Sequence, residues 1–559
     1  MARQQPIVGR RRAWRRVLVV MVALAAVCGV ALVVVERVVR DKLEEVVRKA
    51  AGPGYQVYIG ALDIDLLGGS AEVRNASLTF DSLRMDSLVR GESNGLLRVE
   101  ADRITMTGLS YMQLVRSGIV AMRSVEIVGP RLDHYFMPRH EKYHDSTEPP
   151  PPDGTTPSLI TLDTLRILGA SGGTHDLIGE RTSANVGDLD ILSGGIVVMH
   201  SADGTSRFRA RSTTLIARGV VAAFPPLYDL RIGSLELVHP AGLARATMAS
   251  FTPRADAQHY GTLVPHETDL FHAKADTMLL AGVDVHHFLA AQELFIRRAD
   301  VQAPLLVIHR DKTLPDGPFT PKRLPPAGLR ALDRMLRIDT IAIHNGRVDY
   351  NERDSLNKDY GRVSFAELNA MLTGLGNTPE LIAHGMLELE ATARIYDKST
   401  LRAWYRAPLS PTTSQFTLEA HLRSLPFNAF NRMTDSLLMV SVKSGRIDEL
   451  VLRMHGNDEQ AYGTLDLVYQ DLDVELRSRD ERQPRTWLLN KALQVLVRRD
   501  NLREARNYRQ GTYTVVRRQD RSIFNYAWRA VRAGTLDSMV PGALSRFAQQ
   551  KANKKARER

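Results

Sequence analysis

The chain of 559 residues holds a single cysteine, Cys28. That excludes an internal disulfide and a thiolate metal site, so folding must rest on backbone pairing and aliphatic burial. Aromatic residues make up only 6% of the sequence, and no recognisable nucleic-acid module accompanies them, which argues against a base-stacking surface. There is no Walker loop and no dinucleotide fingerprint. No cofactor, metal or catalytic group is expected, and the chain reads as a non-enzyme. Acidic residues are missing from the first sixteen positions, which carry six arginines instead.

Directly after those arginines comes the longest apolar run, VLVVMVALAAVCGVALVVV at Val17–Val35. Nineteen helical residues span roughly 28 Å, close to the hydrocarbon thickness of a bilayer. Basic residues on its N-terminal side place that end in the cytoplasm and the bulk of the chain on the other side. The run is too long for a signal-peptide core and no small-x-small site succeeds it. Val27 stands where a lipidated Cys28 would need a small residue. The expectation is an uncleaved single-pass anchor.

The net charge of +11 is unevenly spread. Residues 485–559 hold 18 Lys and Arg against 5 Asp and Glu. Residues 1–16 add six more basic groups, so the large middle, 17–484, is acidic by 8. Basic ends suit an anionic membrane surface rather than DNA or RNA.

After a juxtamembrane helix (36–52) the hydrophobic period changes from about 3.6 to 2. Leu97, Val99 and Ala101 alternate with charges, as do Leu387, Leu389, Ala391, Ala393 and Ile395. The same holds for Phe416 to Leu422, for Leu465, Leu467 and Tyr469, and then for Leu472, Val474 and Leu476. Such strands have one apolar and one polar face, as in antiparallel sheet. Gly68-Gly69, Asn94-Gly95, Gly172-Gly173 and Asn345-Gly346 read as turns.

Repeats are the more specific signal. SVEIVGP (Ser124–Pro130) returns as SLELVHP (Ser234–Pro240) and, weaker in letters, as RADVQAP (Arg298–Pro304). Short amphipathic stretches precede the first and third (Ser110–Ser117, Asp284–Ala291) at a constant offset of 174. LDTLRILGASGGTH from Leu162 resembles IDTIAIHNGRVDY from Ile338. A strand-ending proline marks an edge or a turn. Proline-rich breaks at 148–157 and 311–328 separate a first β-region (53–147), a central one (158–310) and a third (329–484). The basic end, 485–559, reads as a helix at Trp487–Val497, a strand around Tyr513–Arg517, an amphipathic helix at Ser522–Ala533 and a solvated tail, KANKKARER.

His134, His140, His144 and Asp145 cluster, and His286 and His287 adjoin; loop histidines, not a metal site, are the expectation. The acid pairs Asp63/Asp65, Asp188/Asp190 and Asp471/Asp473 sit at period 2, where a solvated polar face is expected. A glycan hydrolase using one such pair is a remote alternative. The C-terminal helix has two readings. It lays Phe524, Trp528 and Val531 into a membrane surface, or it packs on the last strands as a cap.

Taken together, the basic N-terminus, the anchor and ALDIDLLGGSAEVRNASLTF (Ala61–Phe80) resemble the start of AsmA-like proteins of Gram-negative envelopes. SYMQLVRSGIVAMRSVEIVGPRLDHYF (Ser110–Phe136), VSVKSGRIDEL, YGTLDLVYQDLDVEL and RSIFNYAWRAV (Arg521–Val531) carry the likeness over most of residues 14–535. Residues 175–330 match least. The resemblance implies an inner-membrane protein with a periplasmic body whose long, curved β-sheet forms an apolar groove, related to bridge-like lipid-transfer proteins. It also implies a part in phospholipid transport or outer-membrane assembly, and it brings no catalytic residues.

The expected fold is thus mainly β: a transmembrane helix, then an elongated, repetitive, curved antiparallel sheet with short helices and an α-containing C-terminal region. Leu97, Val99, Ala101, Leu387, Leu389, Ala391, Leu465, Leu467 and Val474 are the candidates to face lipid. Expected partners are the inner membrane, phospholipid or another lipid, and outer-membrane or periplasmic proteins. An envelope scaffold that holds other proteins is the rival. Alternation alone does not separate an open groove from a closed sandwich, because both are lined by aliphatics.

Overall fold

A computed structural model describes residues 54–558, with breaks at 66–67, 91–94, 110–118, 138–158, 180–182, 201–205, 257–258, 354–359, 412–413, 434–439 and 477–496. The expected anchor (17–35), the juxtamembrane helix, the 148–157 proline stretch and residues 487–496 of the expected Trp487–Val497 helix lie outside the described residues. Among the described residues no helix is long and apolar enough to cross a membrane. The fold is mainly β, with 22 strands in one mixed sheet and few helices. Two compact units divide the chain, 1–249 and 250–559.

In the first unit, β1 (Tyr55–Asp65) and β2 (Ser70–Phe80) form a hairpin closed at Gly68-Gly69, where Asp65 accepts from the Gly68 N–H at 2.9 Å. Helix α1 (Ser82–Arg90) comes next and buries Leu88. β3 (Leu96–Thr107) pairs antiparallel with β2, then with both β4 (Ile119–Val128) and β5 (Arg131–Phe136). These last two act as one strand interrupted at Gly129-Pro130. β6 (Leu159–Asp176) runs parallel to both of them. β7 (Ser183–His200), β8 (Ser206–Arg209), β9 (Ser212–Phe224) and β10 (Tyr228–His239) continue antiparallel. The core gathers alternate residues from neighbouring strands, among them Val73, Ile104, Val120, Ile127, Ile160 and Val198. β11 (Leu243–Pro253) carries the chain into the second unit.

There β12 (Asp269–Ala281), α2 (Val285–Ala291), β13 (Leu294–Gln302), β14 (Leu305–Asp311), β15 (Leu336–Arg353) and β16 (Tyr360–Gly376) repeat the arrangement. β13 and β14 both pair antiparallel with β12 and parallel with β15. The offset of 174 is therefore structural. Pro130 and Pro304 occupy the same break, and their carbonyls accept from Ser171 N at 2.8 Å and Arg347 N at 2.7 Å. The prolines mark an interior strand junction, not the expected edge: a residue without an N–H is tolerated where the ladder is already broken. The copy closest in letters, at Pro240, instead opens a turn between β10 and β11. Context, not spelling, identified the repeat.

Parallel pairing corrects the purely antiparallel expectation. A strand that meets its successor in parallel needs a connection that returns the chain to the starting end. In the second unit that connection contains the proline-rich stretch up to Gly328, with α3 (Pro325–Arg330) inside it. Phe136 and Leu159 likewise sit at opposite ends of their strand pair. Two supposed turns are also mid-strand irregularities. Gly172 (φ +129°) lies in a register shift of β6, where a Cβ would run into the Leu132 backbone. Asn345 (φ +52°) and Gly346 lie in the shift of β15.

The second unit continues through α4 (Pro379–His384), β17 (Met386–Ile395), β18 (Ser399–Pro408), β19 (Phe416–Pro426), β20 (Val440–Gly456), β21 (Gln460–Leu476) and β22 (Gly511–Val516), all antiparallel neighbours. The two alternating runs at 465–469 and 472–476 belong to the single strand β21. Their change of phase is absorbed at Asp471, whose φ is +56°. Helices α5 (Ile523–Met539) and α6 (Gly542–Arg557) close the unit. The expected solvated tail is the end of α6. A buried ionic clasp joins the unit's beginning to this end. Glu267 accepts from Arg521 at 2.8 Å and also pairs with Arg310, which reaches Asp269 at 2.9 Å.

Candidate functional site

The register of the second unit aligns one apolar row across seven strands. Opposite one another stand Ile343, Ala370, Ala391, Ala403, Ala420, Leu452 and Leu465, from β15 to β21. Four consecutive members are alanines. On one side the row is flanked by Leu372, Leu389, Tyr405 and Leu418, and on the other by Ala393, Leu401 and Leu422. Small residues between larger ones make a shallow apolar trough that crosses the strands. From β15 to β19 it runs about 19 Å at the usual strand spacing.

Burial changes along this row. Ile343, Ala370, Ala391, Ala403 and Ala420 are half-buried, whereas Leu452 is 2% and Leu465 0% exposed. The cause is α5, whose backbone crosses β21 and β22 so closely that a Cβ on Gly534 would stand 2.6 Å from that of Leu465. Leu465 and Leu467 (1% exposed) are therefore sealed in the core and cannot face a lipid. Leu387 is also buried at 3%, while Leu389 and Ala391 lie in the half-buried part. Val474 lies beyond the Asp471 irregularity and packs on the edge of the core. Leu97, Val99 and Ala101 belong to the first unit. Val99 joins a small cluster with Tyr55, Val57 and Leu78, Ala101 joins the main core, and Leu97 is half-buried. Within the second unit the six candidates are divided between sealed and half-buried positions. Alternation locates the apolar side of each strand, but covering elements decide which part of it stays open.

The helix stripe is also rotated from the expected one. Tyr526, Ala530, Gly534, Asp537 and Ser538 are the buried positions of α5, and Val531 packs against the core. Phe524 is 78% exposed and Trp528 half-buried. The cap reading describes the packing, with Phe524 left outward. Small residues four, eight and twelve positions after Tyr526 (Ala530, Gly534 and Ser538) are the signal that alternation reasoning passed over.

Polar faces carry arginine–acid pairs two residues apart on one strand. Arg131–Asp133 (2.8 Å), Arg298–Asp300 (2.7 Å), Arg347–Asp349 (3.0 Å) and Arg446–Asp448 (2.7 Å) repeat the pattern. Arg298 and His344 together hold the Asp300 carboxyl down at about 2. The Asp188/Asp190 pair is bridged by one guanidinium, Arg218, so it neutralises charge between strands instead of flanking a substrate. His287 donates from Nδ1 to the carboxylate of the cap residue Asp284 at 2.8 Å. His272 and His309 share a face of β12 and β14, and burial lowers both below the ordinary imidazole value. His140, His144 and Asp145 lie outside the described residues. No group of three or more His, Cys, Asp or Glu suited to a metal occurs among the described residues. A cavity beside α3, lined by Leu324, Pro326, Tyr405, Ala407 and Asp458, holds only about 10 Å3, far below the usual range of ligand pockets.

No protein-family model matches the chain, and no curated protein matches it significantly.

Proposed function

We propose that the protein is an anchored, non-enzymatic lipid-handling component of a bacterial envelope, with an elongated apolar sheet face as its working surface. The observation that carries this reading is the alanine-floored trough at Ala370, Ala391, Ala403 and Ala420, half-buried and continuous until α5 covers it. The flanking Ala393, Tyr405 and Leu422 are buried, and the half-buried floor between them gains about 0.8 kcal/mol for each methylene that covers it. Acyl chains supply such methylenes without needing directional contacts. The resemblance to AsmA-like proteins agrees with inner-membrane anchoring through 17–35, a periplasmic body and phospholipid as cargo.

The test is mass spectrometry of organic extracts from the full chain, purified in mild detergent. Near-stoichiometric phospholipid is expected for the native protein. Ala403→Phe, which fills the trough, and Leu389→Asp, which charges its wall, should each reduce bound lipid several-fold while circular dichroism is unchanged. A lipid-free native protein, or unchanged lipid in both folded variants, overturns the reading. The scaffold alternative is favoured by Phe524, Leu544 and Phe547, which are 78%, 46% and 67% exposed on the terminal helices. It gains only if protein is retained where lipid is absent.

A further inference from the structure

Strand β22 is the last strand of the second unit, and its outer side is paired with side chains instead of backbone. Gln549 on α6 accepts from Thr514 N at 3.4 Å and donates to Thr512 O at 3.2 Å. One helical turn later Asn553 accepts from Val516 N at 3.0 Å and donates to Thr514 O at 2.8 Å. The remaining N–H, that of Thr512, donates to Asp537 on α5 at 3.0 Å. Each carboxamide carries one acceptor and one donor, like a peptide group. Spaced at i and i+4 on one helix face, the two amides reproduce a neighbouring strand's hydrogen bonds.

The strand beneath them has every property of a pairing-prone edge. GTYTVV contains no charge and no proline and is rich in β-branched and aromatic residues. Natural edges without such a cover carry lysines, prolines or bulges that discourage strand addition. Here the cover is weakly held. Only Ser545 and Ala556 are buried on α6, while its Leu544 and Phe547 point outward. Pro541 separates α6 from α5, and the hinge is fixed on the α5 side, where Val540 O accepts from Arg509 at 3.1 Å. Release of α6 breaks the bond from Arg529 on α5 to Ala552 O at 3.3 Å and leaves the Arg509 bonds to Val540 O and Asp537 in place.

We propose that α6 is a removable guard on the edge of β22, and that the released edge pairs antiparallel with β22 of a second copy of this chain. The outward N–H and C=O groups of Thr514 make it the self-complementary centre of such a pair, which closes as a two-fold dimer. The absence of charge on Thr512, Thr514 and Val516 removes the repulsion that two like-charged edges would meet. This inference is independent of the lipid reading.

The test uses the full chain in detergent with Cys28→Ser, so that introduced thiols stand alone. Thr514→Cys reports on the pair, because hydrogen-bonded partners lie about 5.5 Å apart between Cα atoms, within disulfide reach. Adding Gln549→Ala and Asn553→Ala should raise the disulfide-linked dimer at least five-fold over the guard-intact protein. Amide exchange at Thr512, Thr514 and Val516 should change while α5 amides keep their protection. Thr512→Cys, which faces residue 516 of the other copy, should give no link. A shortened chain ending at Pro541 is the second form of the unguarded protein. The proposal is overturned if neither unguarded form links through residue 514 although its edge amides exchange freely. Equal linkage with the guard intact, or through residue 512, overturns it as well.

Discussion

Replacing Gly534 by alanine sets two physical effects of opposite sign against each other. Gly534 lies inside α5, where alanine is preferred by about 0.8–1.0 kcal/mol on backbone grounds. Propensity alone therefore predicts a stabler helix. The packing predicts the reverse. The new methyl would stand 2.6 Å from Leu465 Cβ and 3.2 Å from the Tyr513 ring. Leu465 is 0% and Tyr513 4% exposed, so neither has room to retreat. Gly511 sits directly below, where a Cβ would run into the Gly534 carbonyl. Forcing a methyl into such a contact costs roughly 1–3 kcal/mol. The balance is a loss of about 1 kcal/mol for Gly534→Ala and more for Gly534→Val, whose branched side chain is larger and a poorer helix former. Native-state hydrogen exchange over α5 and β22 is the assay, because it reports local opening in a large chain. About five-fold faster exchange of those amides is expected for alanine. Slower exchange, the result propensity demands, would refute the close crossing of α5 over β21 and β22.

Asn501→Ala should be costly. This residue is 1% exposed and holds Leu467 O, Arg509 O and Arg509 N with one carboxamide, so about 3 kcal/mol of local stability should be lost. A fall in the urea midpoint measures it, and an unchanged midpoint contradicts that network. Glu267→Gln should loosen the clasp and leave Arg310 and Arg521, 11% and 10% exposed at their side chains, short of a counter-charge. A loss of about 3 kcal/mol is expected, seen as protease cleavage near Phe319 at lower denaturant. Acid should weaken the fold between pH 4 and 2. Asp300 is held near 2 against an ordinary 3.8, so its contribution is present above the higher value and lost as pH falls through the lower. Asp300→Asn should flatten that part of the stability curve. His272 and His309, kept neutral by burial, act at milder acidity. Their unfolded forms take up protons below about 6.5, so stability falls there as pH drops, and His309→Phe should remove part of that slope.

Period-2 alternation by itself determined that the body is strand, which side of β17, β19 and β21 is apolar, and that acid pairs such as Asp188/Asp190 lie on polar faces. Those are local properties, because successive side chains of a strand point to opposite sides wherever the strand ends up. The 174-residue repeat was legible as well, because proline is tolerated at 130 and 304 by a backbone break that both copies make. Only tertiary structure decided the rest. Parallel pairing of β4 and β5 with β6, and of β13 and β14 with β15, depends on where a long connection returns the chain. Local pattern does not encode that return. Whether Leu465 and Ala391, on the same apolar row, are sealed or half-open depends on α5, some seventy residues beyond Leu465 in sequence. Its glycine fits a glycine in β22 through contacts between segments that no single segment displays. The amides of Gln549 and Asn553 look like ordinary solvated helix polarity until the edge of β22 lies against them. Alternation specifies faces, and packing between distant segments specifies which faces and edges remain available for function.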